Sequence, residues 1–204
     1  MNFLVIPIGY VIGSISPAYV LGKLLRGIDI RQHGDGNAGG MNVYYVLGLK
    51  PAVVTAIFDL SKGLILMYIA SLLEADPIFI YLGGLAAILG HVFPFYLKFK
   101  GGKGIGTSMG ILFYYLYIMM KNQWLPFYWL IIYIIGIIIL FYIIRKKEIV
   151  GAIALPLLLA LIFLCSPLNL ITIFAGLIVI YIFFINFLIN IYKKKPLEQE
   201  QGIS

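Results

Sequence analysis

Two glycine-rich segments contain the residue types that could bind a phosphate group. The first is 33-HGDGNAGGMN-42, with four glycines and two asparagines in ten residues, and the second is 98-KFKGGKGIGT-107, with four glycines and three lysines. Glycines allow successive backbone N–H groups to converge on an anion. The second segment directly precedes a predicted helix, whose N-terminus attracts negative charge. We therefore predict that these segments form a phosphate-binding site.

The predicted phosphate ligands are divided between the two segments. The second segment supplies the side chain of Lys103 and the backbone of three glycines, Gly101, Gly102 and Gly104. The first supplies the backbone of Gly36 and Gly39. Its two asparagines, Asn37 and Asn42, either add side-chain donors or brace the loop. The alternative is that both segments are flexible turns whose lysines only orient the chain; two such segments on one face favour anion binding, which explains both.

Three ionisable residues fall inside apolar segments. Asp59 and Lys62 are three residues apart, so they lie on one helical face. Because a bare charge in lipid is costly, intramembrane ions form pairs, face a cavity or lie near the interface. The pair is either a structural one that orients its helix, or Lys62 reaches a cytoplasmic substrate site that Asp59 helps to shape. His91 is either a satisfied structural donor or a base close to the substrate.

The elements that must position these residues are transmembrane helices. The chain has 204 residues, of which 62% are hydrophobic and 11% are charged, and its net charge is +7. Soluble domains are nearer half apolar and a quarter charged. The composition therefore disfavours a soluble enzyme, a disordered tail and a nucleic-acid-binding domain. The single cysteine, Cys165, cannot form an internal disulfide, and no Cys/His cluster suggests a metal site.

Seven segments are apolar and long enough to cross the hydrocarbon core of a bilayer. They are predicted at residues 2–22, 51–73, 78–97, 105–121, 124–144, 149–166 and 168–192. The first is expected to be kinked near Pro17. The sixth and seventh are separated only by Ser166 and Pro167, which makes this boundary the least defined.

The basic residues indicate how these spans are oriented. Thirteen of the 15 lysines and arginines lie in the loops that follow the first, third, fifth and seventh spans. Because basic loops stay in the cytoplasm, we predict an outside N-terminus and a cytoplasmic C-terminus. The predicted architecture is therefore an all-α integral membrane protein. It has a single transmembrane domain over residues 1–204, a seven-helix bundle that ends in a short polar cytoplasmic tail at 195–204.

Four segments of the chain also match a known family. They are 12-IGSISPAYVLG-22, 34-GDGNAGGMNVYYVLG-48, 59-DLSKG-63 and 90-GHVFPFYLKFKGGKG-104. In their order and spacing the chain resembles the bacterial acyl-phosphate-dependent glycerol-3-phosphate acyltransferases, the PlsY family, over nearly its whole length. The resemblance implies acyl transfer from a fatty acyl phosphate to the 1-hydroxyl of glycerol 3-phosphate, which yields lysophosphatidic acid and phosphate in the first step of phospholipid synthesis.

The resemblance also implies partners and residue roles. The partners would be acyl phosphate, glycerol 3-phosphate and membrane lipid, with no nucleic acid, metal or other cofactor. The protein would act as a monomer at the cytoplasmic face of the bacterial inner membrane. Lys103, Asn37 and His91 would be catalytic. Near the C-terminus Asn190 matches a family residue that binds substrate, and Lys193 stands in place of an arginine.

Several positions depart from the family pattern. The first loop of the family usually reads G-S-G-N-x-G-x-T-N-x-x-R, and here Asp35, Met41 and Tyr45 replace its serine, threonine and arginine. Phe187 replaces a histidine near the C-terminus. Losing the arginine removes a bidentate phosphate clamp, and Asp35 adds negative charge where an anion should bind. An alternative hypothesis is therefore a catalytically silent or altered-acceptor relative that binds lipid or acyl phosphate.

Overall fold

A computed structural model describes the backbone of residues 2–145 and 147–201. The side chains of residues 147–149, 151–152 and 189–201 lie outside the described set. The α-helices in the described ranges are α1 (Val5–Ser14), α2 (Pro17–Arg26), α3 (Gly40–Leu47), α4 (Leu49–Leu72), α5 (Pro77–Val92), α6 (Ile105–Lys121), α7 (Phe127–Ile144), α8 (Lys147–Cys165) and α9 (Leu170–Gln201). Short 3-10 turns occupy Asn2–Leu4, Ile30–Gln32 and Phe95–Leu97. The all-α prediction is confirmed for this part of the chain.

Five helical segments in the described residues have the length and hydropathy needed to cross a membrane. They are Asn2–Arg26, Leu49–Leu72, Pro77–Leu97, Phe127–Ile144 and Leu170–Leu188. The two remaining predicted spans, 105–121 and 149–166, coincide with helices α6 and α8, which have 17 and 19 residues. An integral membrane fold follows from these helices, whereas the seven-span count and the orientation of the termini stay predictions.

The first predicted span contains a helix break. Helix α1 ends at Ser14 and α2 begins at Pro17, so the kink expected near this proline is confirmed. An N–H group in the first turn of a helix has no intrahelical acceptor. Proline fits there because the N–H that it lacks would make no helical hydrogen bond. The Oγ atom of Ser16 accepts a hydrogen bond from the backbone N–H of Tyr19 at 3.3 Å and caps the new helix. The break leaves carbonyls at the end of α1 that need other donors.

The boundary between the last two predicted spans is also defined. Helix α8 ends at Cys165 and α9 begins at Leu170. The Oδ1 atom of Asn169 accepts from the backbone N–H of Thr172 at 3.0 Å, and the Thr172 hydroxyl donates to the carbonyl of Pro167 at 2.7 Å. These bonds satisfy polar groups at the start of α9. The backbone of residues 195–201 continues α9, and residues 202–204 of the predicted tail lie outside the described set.

The chain divides into two compact units, residues 1–114 and 115–204. In the first unit, α1 packs on α5 so closely that a Cβ atom at Gly13 would collide with the backbone of Ala87. Helix α4 approaches α6 in the same way, with Gly63 against the carbonyl of Thr107. Small residues permit such contacts, and van der Waals packing drives helix association where the solvent is lipid. This framework carries both glycine-rich segments.

The second unit is joined by aromatic and hydrogen-bonded contacts. The rings of Tyr115 and Phe174 meet edge to face, with their centroids 5.7 Å apart. The hydroxyl of Tyr133 on α7 donates to the carbonyl of Ala154 on α8 at 2.9 Å. A buried tyrosine in an apolar layer usually finds such a partner for its hydroxyl.

Candidate active site

The two glycine-rich segments lie against each other. The Nη1 atom of Arg31 donates to the carbonyls of Leu97 and Lys100, at 2.5 and 3.3 Å. The backbone N–H of Ala38 donates to the carbonyl of Gly101 at 3.5 Å. These contacts join the loop before α3 to the loop before α6, although the two are more than sixty residues apart in sequence. The residues predicted to share one site are therefore neighbours.

Arg31 is itself fixed by Asp29. Its Nε and Nη2 atoms donate to the two carboxylate oxygens at 2.9 and 2.6 Å. These hydrogen bonds hold the pKa of Asp29 below its usual value and raise the pKa of Arg31. The sequence indicates a role for Arg31 only as one of the basic residues that orient the chain. The one local signal for its role is the Asp-x-Arg spacing, which says nothing about the distant carbonyls it binds.

Asn42 braces the first loop. Its side chain is fully buried, and its Oδ1 atom accepts from the backbone N–H of Asp35 at 2.9 Å. Its Nδ2 atom donates to the carbonyls of Ile30, His33 and Asn37 at 3.0, 3.0 and 2.9 Å. Because the two amide hydrogens are shared among three loop carbonyls and the side chain is buried, the structure favours the bracing role for Asn42 over a donor contact with substrate.

A tight turn follows at the tip of the first loop. The Oδ1 atom of Asp35 accepts from the backbone N–H of Asn37 at 3.1 Å, and Gly36 between them has a φ of +73°. The other carboxylate oxygen, Oδ2, lies 3.8 Å from the Nζ atom of Lys103. Both side chains remain more than a third exposed. The half-buried Asn37 and Lys103 therefore flank a carboxylate at an accessible point between the loops.

Helix α3 begins directly after this turn. Gly39 precedes it in an extended conformation, with its α-carbon close to the Asn37 side chain: a Cβ atom there would lie 2.8 Å from Nδ2. Met41 and Tyr45, which replace a threonine and an arginine of the family pattern, are 55% and 59% exposed. Neither side chain restores the hydroxyl or the guanidinium that the pattern provides.

The glycines of the second loop have a role that differs from the predicted one. The N–H groups of Gly101 and Gly102 donate to the carbonyls of Val92 and His91, each at 3.0 Å. They satisfy the end of α5, whose last carbonyls have no helical partners. In this conformation they are therefore not donors to an anion, which corrects the predicted cradle at these two amides. Gly104, with a φ of +74°, lies directly before α6, and the first N–H groups of a helix have no partners within the helix.

Below the loops, Asp59, Lys62 and His91 form a buried cluster, called the triad here, in which each residue is about 5% exposed. The Nζ atom of Lys62 donates to the carbonyls of Gly13 and Ile15 at 3.1 and 2.7 Å. It lies 2.8 Å from His91 Nδ1 and 2.9 Å from Asp59 Oδ1. Since an ammonium only donates, Nδ1 is the acceptor and the ring hydrogen is assigned to Nε2. Lys62 thus satisfies the carbonyls exposed by the helix break.

The triad supports the loop around Lys103 from both sides. The Nε2 atom of His91 lies against Gly102, where a Cβ atom would collide with it. The Cβ atom of Asp59 lies against Gly106, where an added Cβ would approach to 2.7 Å. Lys103 is in the stretch between these two glycines. The geometry favours the structural alternative for the ion pair and for His91, which position the lysine rather than meet the substrate.

Two predicted substrate-binding residues belong to the last helix. Asn190 and Lys193 are on the backbone of α9, and their side chains lie outside the described residues. Phe187, one turn earlier, is 52% exposed.

Most of this chain matches a known protein family. A model of the glycerol-3-phosphate acyltransferase family matches residues 3–194. The chain belongs to this family. Glycerol-3-phosphate acyltransferases of Bacillus velezensis and Bacillus subtilis are 47% and 46% identical over 112 residues. Each alignment covers 55% of this chain and 58% of the relative, so it spans less than two thirds of those proteins.

Two crystal structures of a family member share the fold. PlsY, an integral membrane glycerol 3-phosphate acyltransferase, was solved in its glycerol 3-phosphate form, and it superposes with a TM-score of 0.67 at 27% identity. That match covers 98% of this chain and 92% of the other. The lysophosphatidic acid form gives a TM-score of 0.62 at 29% identity, with 88% and 86% coverage. The family assignment and the membrane fold therefore agree.

Proposed function

We propose that this protein transfers a fatty acyl group from acyl phosphate to the 1-hydroxyl of glycerol 3-phosphate. The hydroxyl oxygen forms a bond to the acyl carbon as the bond between that carbon and the phosphate oxygen breaks. The phosphate leaves with the electrons of that bond and takes up the hydroxyl proton. The products are lysophosphatidic acid and inorganic phosphate. An acyl phosphate is already activated, so this reaction needs no cofactor. Family membership supports the reaction class, and the family member PlsY has been solved in a glycerol 3-phosphate form and in a lysophosphatidic acid form.

The observation that carries the proposal is the position of Lys103. The lysine is on the loop that leads into α6, it is partly exposed, and buried residues support the glycines on either side of it. An ammonium group beside a helix N-terminus can pair with the leaving phosphate and stabilise charge that develops during transfer. Asn37 is in the turn that contains Asp35, whose carboxylate lies 3.8 Å from Lys103, so Asn37 would help to orient the acceptor. The apolar helices would hold the acyl tail.

The membrane arrangement is part of the same proposal. Seven spans, an outside N-terminus and a cytoplasmic C-terminus would place both glycine-rich loops in the cytoplasm of a bacterial cell, at the inner membrane. A single domain and a monomer remain the simplest arrangement for this activity. Asn190 and Lys193 on α9 are proposed as further substrate ligands.

The test is acyl transfer by the purified protein with palmitoyl phosphate and labelled glycerol 3-phosphate. Lys103→Ala should reduce turnover by at least about tenfold, since one charge-assisted contact contributes about 1.5–3 kcal/mol. Lys100→Ala is the matched control, because this exposed lysine lies three residues away on the same loop. Full activity of Lys103→Ala, or an equal loss in Lys100→Ala, would refute the assignment. Phosphate release without lysophosphatidic acid would indicate a different acceptor.

A further inference from the structure

We propose that the Asp35 carboxylate competes with phosphate anions for Lys103 and thereby lowers the affinity of the site for these anions. This inference rests on the proposed role of Lys103 as the phosphate-binding group. It assigns Asp35 a specificity role: the carboxylate weakens binding of doubly charged phosphates, including the phosphate product, more than it weakens binding of singly charged or neutral molecules.

The carboxylate of Asp35 is held beside the lysine by the fold of the loop. Its Oδ1 atom accepts from the backbone N–H of Asn37 at 3.1 Å, and its own N–H donates to the buried Asn42 at 2.9 Å. Asn42 in turn binds three loop carbonyls. The position of Oδ2, 3.8 Å from the Nζ atom of Lys103, is therefore a consequence of the braced loop rather than of a freely rotating surface side chain.

The pair has the geometry of a displaceable counter-ion. A tighter ion pair lies nearby for comparison. Arg31 and Asp29 form two hydrogen bonds, at 2.6 and 2.9 Å, and both side chains are largely buried. The Asp35–Lys103 contact is about an ångström longer, and its side chains are 38% and 39% exposed. Exposed pairs at such distances contribute little to stability and are screened by salt. A phosphate oxygen that approaches the lysine therefore also approaches this carboxylate.

The charge on the ligand decides how large the effect is. Two unit charges about 4 Å apart interact by about 1 kcal/mol in water and by more near a protein surface. A dianion near Lys103 experiences this repulsion twice over, a monoanion once and a neutral polyol not at all. We expect Asp35 to reduce phosphate-dianion affinity about 5- to 30-fold at low salt, and much less at high salt.

Asp35→Asn is the variant that tests this. Asparagine keeps an oxygen for the Asn37 N–H and removes only the charge, and Asp35→Ser is a second neutral variant that can also accept this bond. Glu74→Gln is the matched control, since it removes one negative charge from an exposed position between α4 and α5. The measurement is equilibrium binding of inorganic phosphate by calorimetry, at about 20 mM and about 500 mM salt, together with the KM for glycerol 3-phosphate.

The neutral variants should bind phosphate about 5- to 30-fold more tightly at low salt, and Glu74→Gln should match the wild type. Adding Lys103→Met to Asp35→Asn should abolish the gain. Unchanged affinity in both neutral variants, an equal gain in Glu74→Gln, or a gain that survives Lys103→Met would each overturn the inference. Because binding does not require turnover, tighter binding without any acyl transfer would support this inference while refuting the proposed function.

Discussion

Replacing Lys62 by methionine is the most direct test of the buried triad. Methionine has nearly the same length as lysine but provides no donor and no charge. The variant leaves the carbonyls of Gly13 and Ile15 without their lysine partner at the break between α1 and α2. It also removes the cation 2.9 Å from the buried Asp59 carboxylate.

The expected loss can be estimated from these contacts. Breaking a buried ion pair by removing one partner is destabilising by about 3–5 kcal/mol, because the remaining charge is uncompensated. For a chain of this size that corresponds to a decrease of about 6–20 °C in the midpoint of unfolding. Combining Lys62→Met with Asp59→Asn should recover part of the loss, since no buried charge remains. The turnover number should fall along with stability, because His91 and Asp59 support the loop that contains Lys103.

The assay is thermal unfolding in detergent, followed by the rate of acyl transfer at a temperature where each variant is folded. Lys121→Met is the control, because this lysine is exposed at the last turn of α6. It should change stability by less than about 0.5 kcal/mol. If Lys62→Met unfolds within about 2 °C of the wild type, or if the double variant is no more stable than the single one, the account of the triad is wrong.

Two further predictions concern the loops. Gly102→Ala should reduce acyl transfer about tenfold or more, because its Cβ atom would collide with His91; Gly84→Ala, whose Cβ atom would meet its neighbours at 3.7 Å or more, should leave the rate within about twofold. Equal rates in the two variants would contradict the close packing of the loop. The lowered pKa of Asp29 contributes stability that is fully present above about pH 4, the unfolded pKa, and is lost as the pH falls through the folded pKa. Unfolding midpoints should therefore be higher for the wild type than for Asp29→Asn at neutral pH, and this difference should shrink as the pH falls below about 4. Parallel curves for the variant and the wild type would rule out a stabilising Asp29–Arg31 pair.

Local sequence signals predicted several parts of the structure. The predicted span limits agree with the helices to within a few residues, except that α9 continues nine residues past the predicted limit at 192, to Gln201. The break at Pro17 lies where the ring excludes a continued helix. The sequence predicts no helix between the first two spans, 2–22 and 51–73, but helix α3 lies there. That eight-residue helix is too short to produce a clear hydrophobic period, and its stability depends on packing.

The roles of individual site residues were harder to predict. The sequence indicated that Asn42 would either brace the loop or bind substrate, and its four loop contacts favour bracing. The second glycine-rich segment suggested an anion cradle at Gly101 and Gly102, whose N–H groups instead satisfy the end of α5. A glycine-rich string shows that a backbone can bend, but it does not specify which acceptor its N–H groups reach.

The sequence by itself determined that this protein lies in lipid and that its long apolar segments are helices. Such segments must satisfy their backbone polar groups internally when they cross lipid. Its motifs also determined the family. Only the tertiary structure decided which polar groups meet. Arg31 binds a carbonyl 66 residues away, and Lys62 binds one 49 residues away at the helix break. The pairing of Asp35 with Lys103 likewise depends on how two loops fold onto the same framework. Such partners are fixed by helix packing across long sequence separations, which no local pattern encodes.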